Sequence, residues 1–133
     1  MTRSKKPRRG AVTVEFALAF PILLLFAFAG IEFSRVNMIR NTAINAAYEG
    51  ARKGIVPGAT ASECEQAATQ LLGFVDISGG SAVVTPSTIQ ADTKSVTVTV
   101  TVPITSTNSF IAPQYFMGKE IVTSVTLPRE MTF

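Results

Sequence analysis

The sequence predicts an α+β fold. A long N-terminal membrane-spanning helix continues into a small domain that holds a short second helix and a three- or four-stranded antiparallel sheet. Three observations carry this. Residues 16–31 contain no charged side chain. Beyond them, apolar and small residues recur at helical spacing at Val36, Ile39, Ala43, Ala47 and Ala51. Further on, Val96, Val98, Val100 and Val102 alternate with Ser95, Thr97, Thr99 and Thr101.

The long helix comes first. Taken back through Ala11-Val12-Thr13-Val14 and on to Phe33, the apolar segment is 23 residues long. At a rise of about 1.5 Å per residue it spans a hydrocarbon core of about 30 Å. Pro21 lies inside it, removes one backbone hydrogen bond and is expected to kink the helix. The stripe from Val36 to Ala51, flanked by Ile44 and Tyr48, carries the helix out of the membrane, and Gly54 and Pro57-Gly58 end it. One helix over residues 11–53 is roughly 60 Å long. The stripe is expected to be domain core rather than a partner surface.

The remaining elements are shorter. Ser62-x-x-Glu65 fits a capping box, with Ala67, Ala68, Leu71 and Leu72 following before Gly73, so a second helix is expected over residues 61–72. Period-two alternation predicts strands at about 81–85, with Ile89 beyond Pro86, at 94–102 and at 121–127. A sheet of these strands laid on the outer helix buries the valine face and the helix stripe together. Its Thr/Ser face stays polar and uncharged. Between the last two strands, Phe110, Tyr115 and Phe116 mark a possible surface loop. The expected organisation is a basic cytoplasmic leader at 1–10, the membrane half of the helix at 11–33, and an extracytoplasmic domain at 34–133, with its helix at 34–54.

The formal charge of +3 is unevenly spread. Arg3, Lys5, Lys6, Arg8 and Arg9 precede Gly10, and no acid stands among them. The rest of the chain holds seven basic residues against nine acidic ones. Basic residues flanking an apolar span stay on the cytoplasmic side, so these five act as an orientation signal and leave the domain outside. A basic arm for nucleic acid is the competing reading, and the lipid-compatible sequence that follows at once argues against it. No nucleic acid and no small-molecule substrate are expected as partners.

Chemistry is sparse. Cys64 is the only cysteine, which excludes an intramolecular disulfide. Glu63 and Glu65 beside it raise rather than lower a thiol pKa, so a small buried residue is expected, with an intermolecular disulfide as the other option. The chain has no histidine, the usual general base near neutrality and the commonest metal ligand. Asp76, Asp92 and Glu120 stand alone, without motif spacing. No enzyme activity, cofactor or metal site is expected.

Glu15 is the anomaly. A carboxylate at the edge of an apolar run is costly and tends to be functional. A plain signal anchor makes no use of it. Neither does a secretory signal cut near Ala27-Phe28-Ala29, which has the small-x-small form of a signal-peptidase site. Gly10 with a glutamate five residues on resembles the cleavage site of type IV prepilins and pseudopilins. That resemblance implies a cut between Gly10 and Ala11, which frees an α-amine one helical turn from Glu15. In a packed filament the glutamate of one subunit then pairs with the amine of its neighbour and sets axial register.

A wider set of residues resembles the TadE-like family of pseudopilins from tight-adherence (Flp-type) pilus systems, with TadF- and TadG-like relatives of similar appearance. The set is Arg9-Gly10-Ala11-Val12-Thr13-Val14-Glu15-Phe16-Ala17-Leu18, Pro21-Ile22-Leu23-Leu24-Leu25, Gly30-Ile31-Glu32-Phe33 and Asn45-Ala46-Ala47-Tyr48-Glu49-Gly50-Ala51-Arg52. It covers about residues 8–53. The resemblance implies a prepilin peptidase, other pilins or pseudopilins and pilus assembly proteins as partners. It also implies residence in a bacterial inner membrane, possible incorporation into a surface pilus, and an accessory role in pilus biogenesis and adhesion. Phe16 stands where major Flp pilins tend to have tyrosine, and the chain is too long for one of them. An anchored or secreted binding module using the residue 110–118 loop is the alternative.

Overall fold

The computed structural model describes residues 9–104 and 118–129, Arg9 by its backbone alone. The elements are α1 (Arg9–Gly54), α2 (Ala61–Phe74), β1 (Ser81–Thr85), β2 (Ser95–Pro103) and β3 (Glu120–Pro128). The fold is α+β, as the periodicities predict. The strands form one antiparallel sheet in the order β1-β2-β3. Helix α1 is 46 residues long and runs on through Pro21.

The core lies where the small-residue stripe of α1 meets the valines of β2. Ile39, Ala43, Ala46, Ala47 and Ala51 are buried, as are Val96, Val98, Val100 and Val102. Each valine taken from water contributes on the order of 1.5 kcal/mol. Helix α2 closes the other side of this core with Cys64, Ala68 and Leu72. Ile44 and Tyr48 flank the stripe and remain exposed.

Two glycines fix how closely these layers approach. A Cβ on Gly50 would lie 2.8 Å from the Cys64 carbonyl oxygen and 3.2 Å from Val98 Cγ1. A Cβ on Gly54 would lie 2.8 Å from Val96 Cγ1 and 3.2 Å from the Cys64 sulfur. These contacts also set direction. Four residues of helix rise about 6 Å and two residues of strand about 6.6 Å, so moving back from Gly54 to Gly50 matches moving forward from Val96 to Val98. Strand β2 therefore runs antiparallel to α1. Strand β3 runs parallel to α1, away from its apolar half.

Four local expectations are corrected. The second helix is capped by Thr60 rather than Ser62. The Glu63 amide donates to Thr60 Oγ1 (3.3 Å), and the Thr60 amide donates to Glu63 Oε2 (2.9 Å). Both patterns have the required spacing, and the extended backbone of Thr60 (φ −103°, ψ 153°) decides between them. Helix α2 continues to Phe74, because Gly73 has open space around it and Val75 supplies the terminal N–H. Ile89 packs on the core from outside any strand. Strands β2 and β3 each reach one residue further than expected, to Pro103 and Pro128.

Gly50→Ala is expected to destabilise the full chain by about 1–3 kcal/mol in chemical denaturation in detergent, because backbone must move to admit the methyl group. Gly73→Ala, in open space inside α2, is expected to be neutral or stabilising by up to about 1 kcal/mol.

Candidate membrane-anchoring and assembly site

The first half of α1 is exposed and does not pack on the core of the described residues. Every residue from Gly10 to Ile31 is exposed. Its most apolar 18-residue window has a mean hydropathy of 2.3, and none of that window is buried. Such a helix is long and apolar enough to cross a membrane. Phe16 and Phe20 stack against each other at 5.3 Å between ring centroids, but their outer surfaces remain open. An apolar surface of this extent marks a lipid or protein contact.

Gly10 and Glu15 stand at the entrance. Nothing lies within 4 Å of where a Gly10 side chain would begin, so packing inside the chain does not require a glycine there. Glu15 lies among the exposed apolar residues Val12, Val14, Phe16 and Leu18. Helix α1 begins at Arg9, and its first turn contains no acid, so the helix dipole gives Glu15 little help. Ala11 and Glu15 are both helical, four residues apart on one face. Arg3, Lys5, Lys6 and Arg8 lie outside the described residues, as does the side chain of Arg9. Phe110, Tyr115 and Phe116 also lie outside them.

At the other end of the apolar half, Glu32 is buried at 6 % exposure. Its position four residues before Val36 and seven before Ile39 puts it on the buried stripe, which is the signal that identifies it. On another side of α1, Ala27, Gly30, Ile31, Ser34, Arg35 and Met38 line a shallow groove of about 540 Å³. No three potential metal ligands cluster among the described residues.

Cys64 is fully buried, and its thiol donates to the Thr60 carbonyl at 3.2 Å. Burial first, then the Glu63 charge with a smaller push from Glu65, raises its pKa. Glu63 goes the other way. The Thr60 amide, followed by the Thr60 hydroxyl, holds its carboxyl below the usual range.

Residues 10–52 match the family model for TadE-like proteins. The matched segment begins at Gly10, contains Glu15 and Pro21, and ends two residues short of the end of α1. The matched segment is thus the helix that carries both the exposed apolar surface and the core stripe. No curated protein and no solved structure gives a significant match.

The Cys64 thiol is expected to resist an aromatic disulfide reagent in the native full chain and to react fully once denatured. Its folded pKa is raised, so its contribution to stability is complete below the unfolded thiol pKa (about 8.5) and is lost as pH rises through the folded value. Denaturation from pH 7 to pH 10 checks this, and Cys64→Ala removes that part of the decline.

Proposed function

We propose that the chain is an accessory pseudopilin of a tight-adherence pilus or a related type IV-like machine. In this proposal a prepilin peptidase cuts it between Gly10 and Ala11. Glu15 carries the proposal: it is an exposed carboxylate on an uncovered apolar helix, inside the segment that matches TadE-like proteins.

A carboxylate within hydrocarbon costs about 2.5–3.5 kcal/mol on insertion scales. A partner cation offsets that cost, while either charge left alone in low dielectric is strongly penalised. Cutting after Gly10 makes the Ala11 α-amine such a cation. Before assembly it lies one turn from Glu15 on the same helix. In an assembled array the amine of one subunit meets Glu15 of the next, and the pairing selects one axial offset between helices. Gly10 leaves the scissile backbone open, since a side chain there would stand between the peptide and a peptidase at the membrane face. Pro21 then bends or loosens the helix between the paired charges and the domain.

The same proposal fixes orientation. The basic leader at residues 1–10 stays in the cytoplasm, residues 11–33 span the inner membrane, and residues 34–133 lie outside it. The outer half of α1 fixes the small domain rigidly to the anchor. Other pilins and pseudopilins pack against the uncovered apolar helix.

N-terminal sequencing of the protein from native membranes is expected to begin at Ala11. Gly10→Ala is expected to block the cut. Glu15→Ala is expected to be cut normally and to lose assembly. A functional protein beginning at Met1 or at Gly30 would contradict the proposal.

A further inference from the structure

The groove on α1 lies where the apolar run gives way to charge. Between Phe16 and Tyr48 the helix carries only three charged residues, Glu32, Arg35 and Arg40. Glu32 is buried, Arg35 is half-buried and Arg40 is exposed. Glu32 stands about five full turns before Gly50, so it lies on the side of α1 that meets α2. The groove is elsewhere. At about 100° per residue, its floor residues Ala27, Gly30 and Ser34 lie about 140–160° round the helix from Gly50, turned away from α2.

Depth sorts the residues that line it. A bilayer is about 30 Å thick across its hydrocarbon and about 40–45 Å with its headgroups, which leaves about 5–7.5 Å of headgroup on each side. Five residues of helix rise about 7.5 Å. The apolar run ends at Phe33, so Ser34, Arg35 and Met38 span the headgroup layer. Ala27, Gly30 and Ile31 lie below it, among acyl chains. The groove therefore joins an apolar floor to a rim that carries a guanidinium and a hydroxyl.

Charge selects a phospholipid over a second copy of the chain. A copy packed parallel and in register on this groove would set Arg35 against Arg35, and α1 offers no exposed acid between Phe16 and Tyr48 to separate them. A phosphodiester supplies acceptor oxygens at that depth instead. A guanidinium matches them with its planar fork of donors. Arg40 adds a second cation about 7.5 Å further along the helix, so the local charge favours an anionic headgroup over a zwitterionic one.

We infer that an anionic phospholipid, from the leaflet on the domain's side of the membrane, seats in this groove. Its phosphate meets Arg35 and Ser34, and one acyl chain runs along Ile31, Gly30 and Ala27. The groove continues the exposed apolar surface of residues 10–31, so the same lipid phase covers both. The inference rests on the reading that α1 crosses a membrane. It is independent of leader cleavage and of the direction of insertion.

The chain has no tryptophan, so Ile31→Trp places a single fluorescent reporter on the groove. Ala29→Trp places one at similar depth about 160° round the helix. The full chain with either reporter is put into mixed phosphatidylglycerol and phosphatidylcholine bilayers, with bromine on the acyl chains of one lipid and then of the other. Quenching at Ile31→Trp is expected to show about a fivefold preference for phosphatidylglycerol, and at Ala29→Trp none. Adding Arg35→Gln is expected to abolish the preference. If that variant does not fold, 1 M salt, with a Debye length of about 3 Å, replaces it and is expected to reduce the preference in the chain that keeps Arg35. Equal quenching by the two lipids at Ile31→Trp, or a preference unchanged by Arg35→Gln in a folded chain or by salt, would overturn the inference. So would weak quenching by both lipids at Ile31→Trp beside strong quenching at Ala29→Trp, which marks a second helix in the groove. No quenching at either reporter would overturn the membrane reading as well.

Discussion

The closeness of α1 to its neighbours at Gly50 and Gly54 is the constraint on which the domain depends. Backbone of α2 and side chains of β2 occupy the space where those two residues would carry Cβ atoms. Around them Ala43, Ala46, Ala47 and Ala51 keep the same face of α1 low. A helix this smooth lets one sheet and one helix seat against it directly, so a small domain covers its valines completely. The same continuous helix extends beyond the domain as a bare apolar rod. The apolar rod and the spine of the domain are thus one helix, with no loop between them.

The other contacts tie down the end of the domain far from the rod. The Arg129 guanidinium donates to the Gln90 and Val56 carbonyls, joining the end of β3 to the β1–β2 connection and to the turn between the helices. The Thr60–Glu63 box starts α2 beside that turn. The outward sheet face carries hydroxyls, with Thr97 and Thr126 bonded across the strands at 2.8 Å. Charge is therefore scarce on the sheet. An uncharged hydroxyl face can meet another surface without the cost of stripping water from ions.

Much of this was legible in the sequence. The valine alternation gave β2 and its buried face because a period of two has few other readings. The stripe from Val36 to Ala51 gave the outer helix and its core role for a similar reason. Gly10, Glu15 and Pro21 fall together in the segment that matches the family model, and the spacing of Glu15 to Gly10 is what draws attention to them in the sequence. Other features escaped. Glu32 is charged by type, and only its spacing to Val36 and Ile39 places it on the buried stripe. Ser62 and Thr60 both satisfy a capping pattern, and only the backbone angles separate them. The edge position of β3 among the described strands depends on strand order, which no local pattern encodes. The closeness at Gly50 and Gly54 belongs to tertiary packing, and in the sequence Gly54 reads only as a stop signal.

The central claim is that one unbroken helix meets lipid along its first half and protein along its second. A nitroxide scan of α1 in the full chain in lipid bilayers tests it most directly, by comparing collisions with oxygen and with a water-soluble nickel reagent. Oxygen contact should be high at every position over residues 16–31, with no helical oscillation. From Val36 to Ala51 both reagents should oscillate with a period of about 3.6 residues, with minima on the buried stripe. A periodic minimum of oxygen contact within residues 16–31, or loss of the 3.6-residue period beyond Val36, would contradict it.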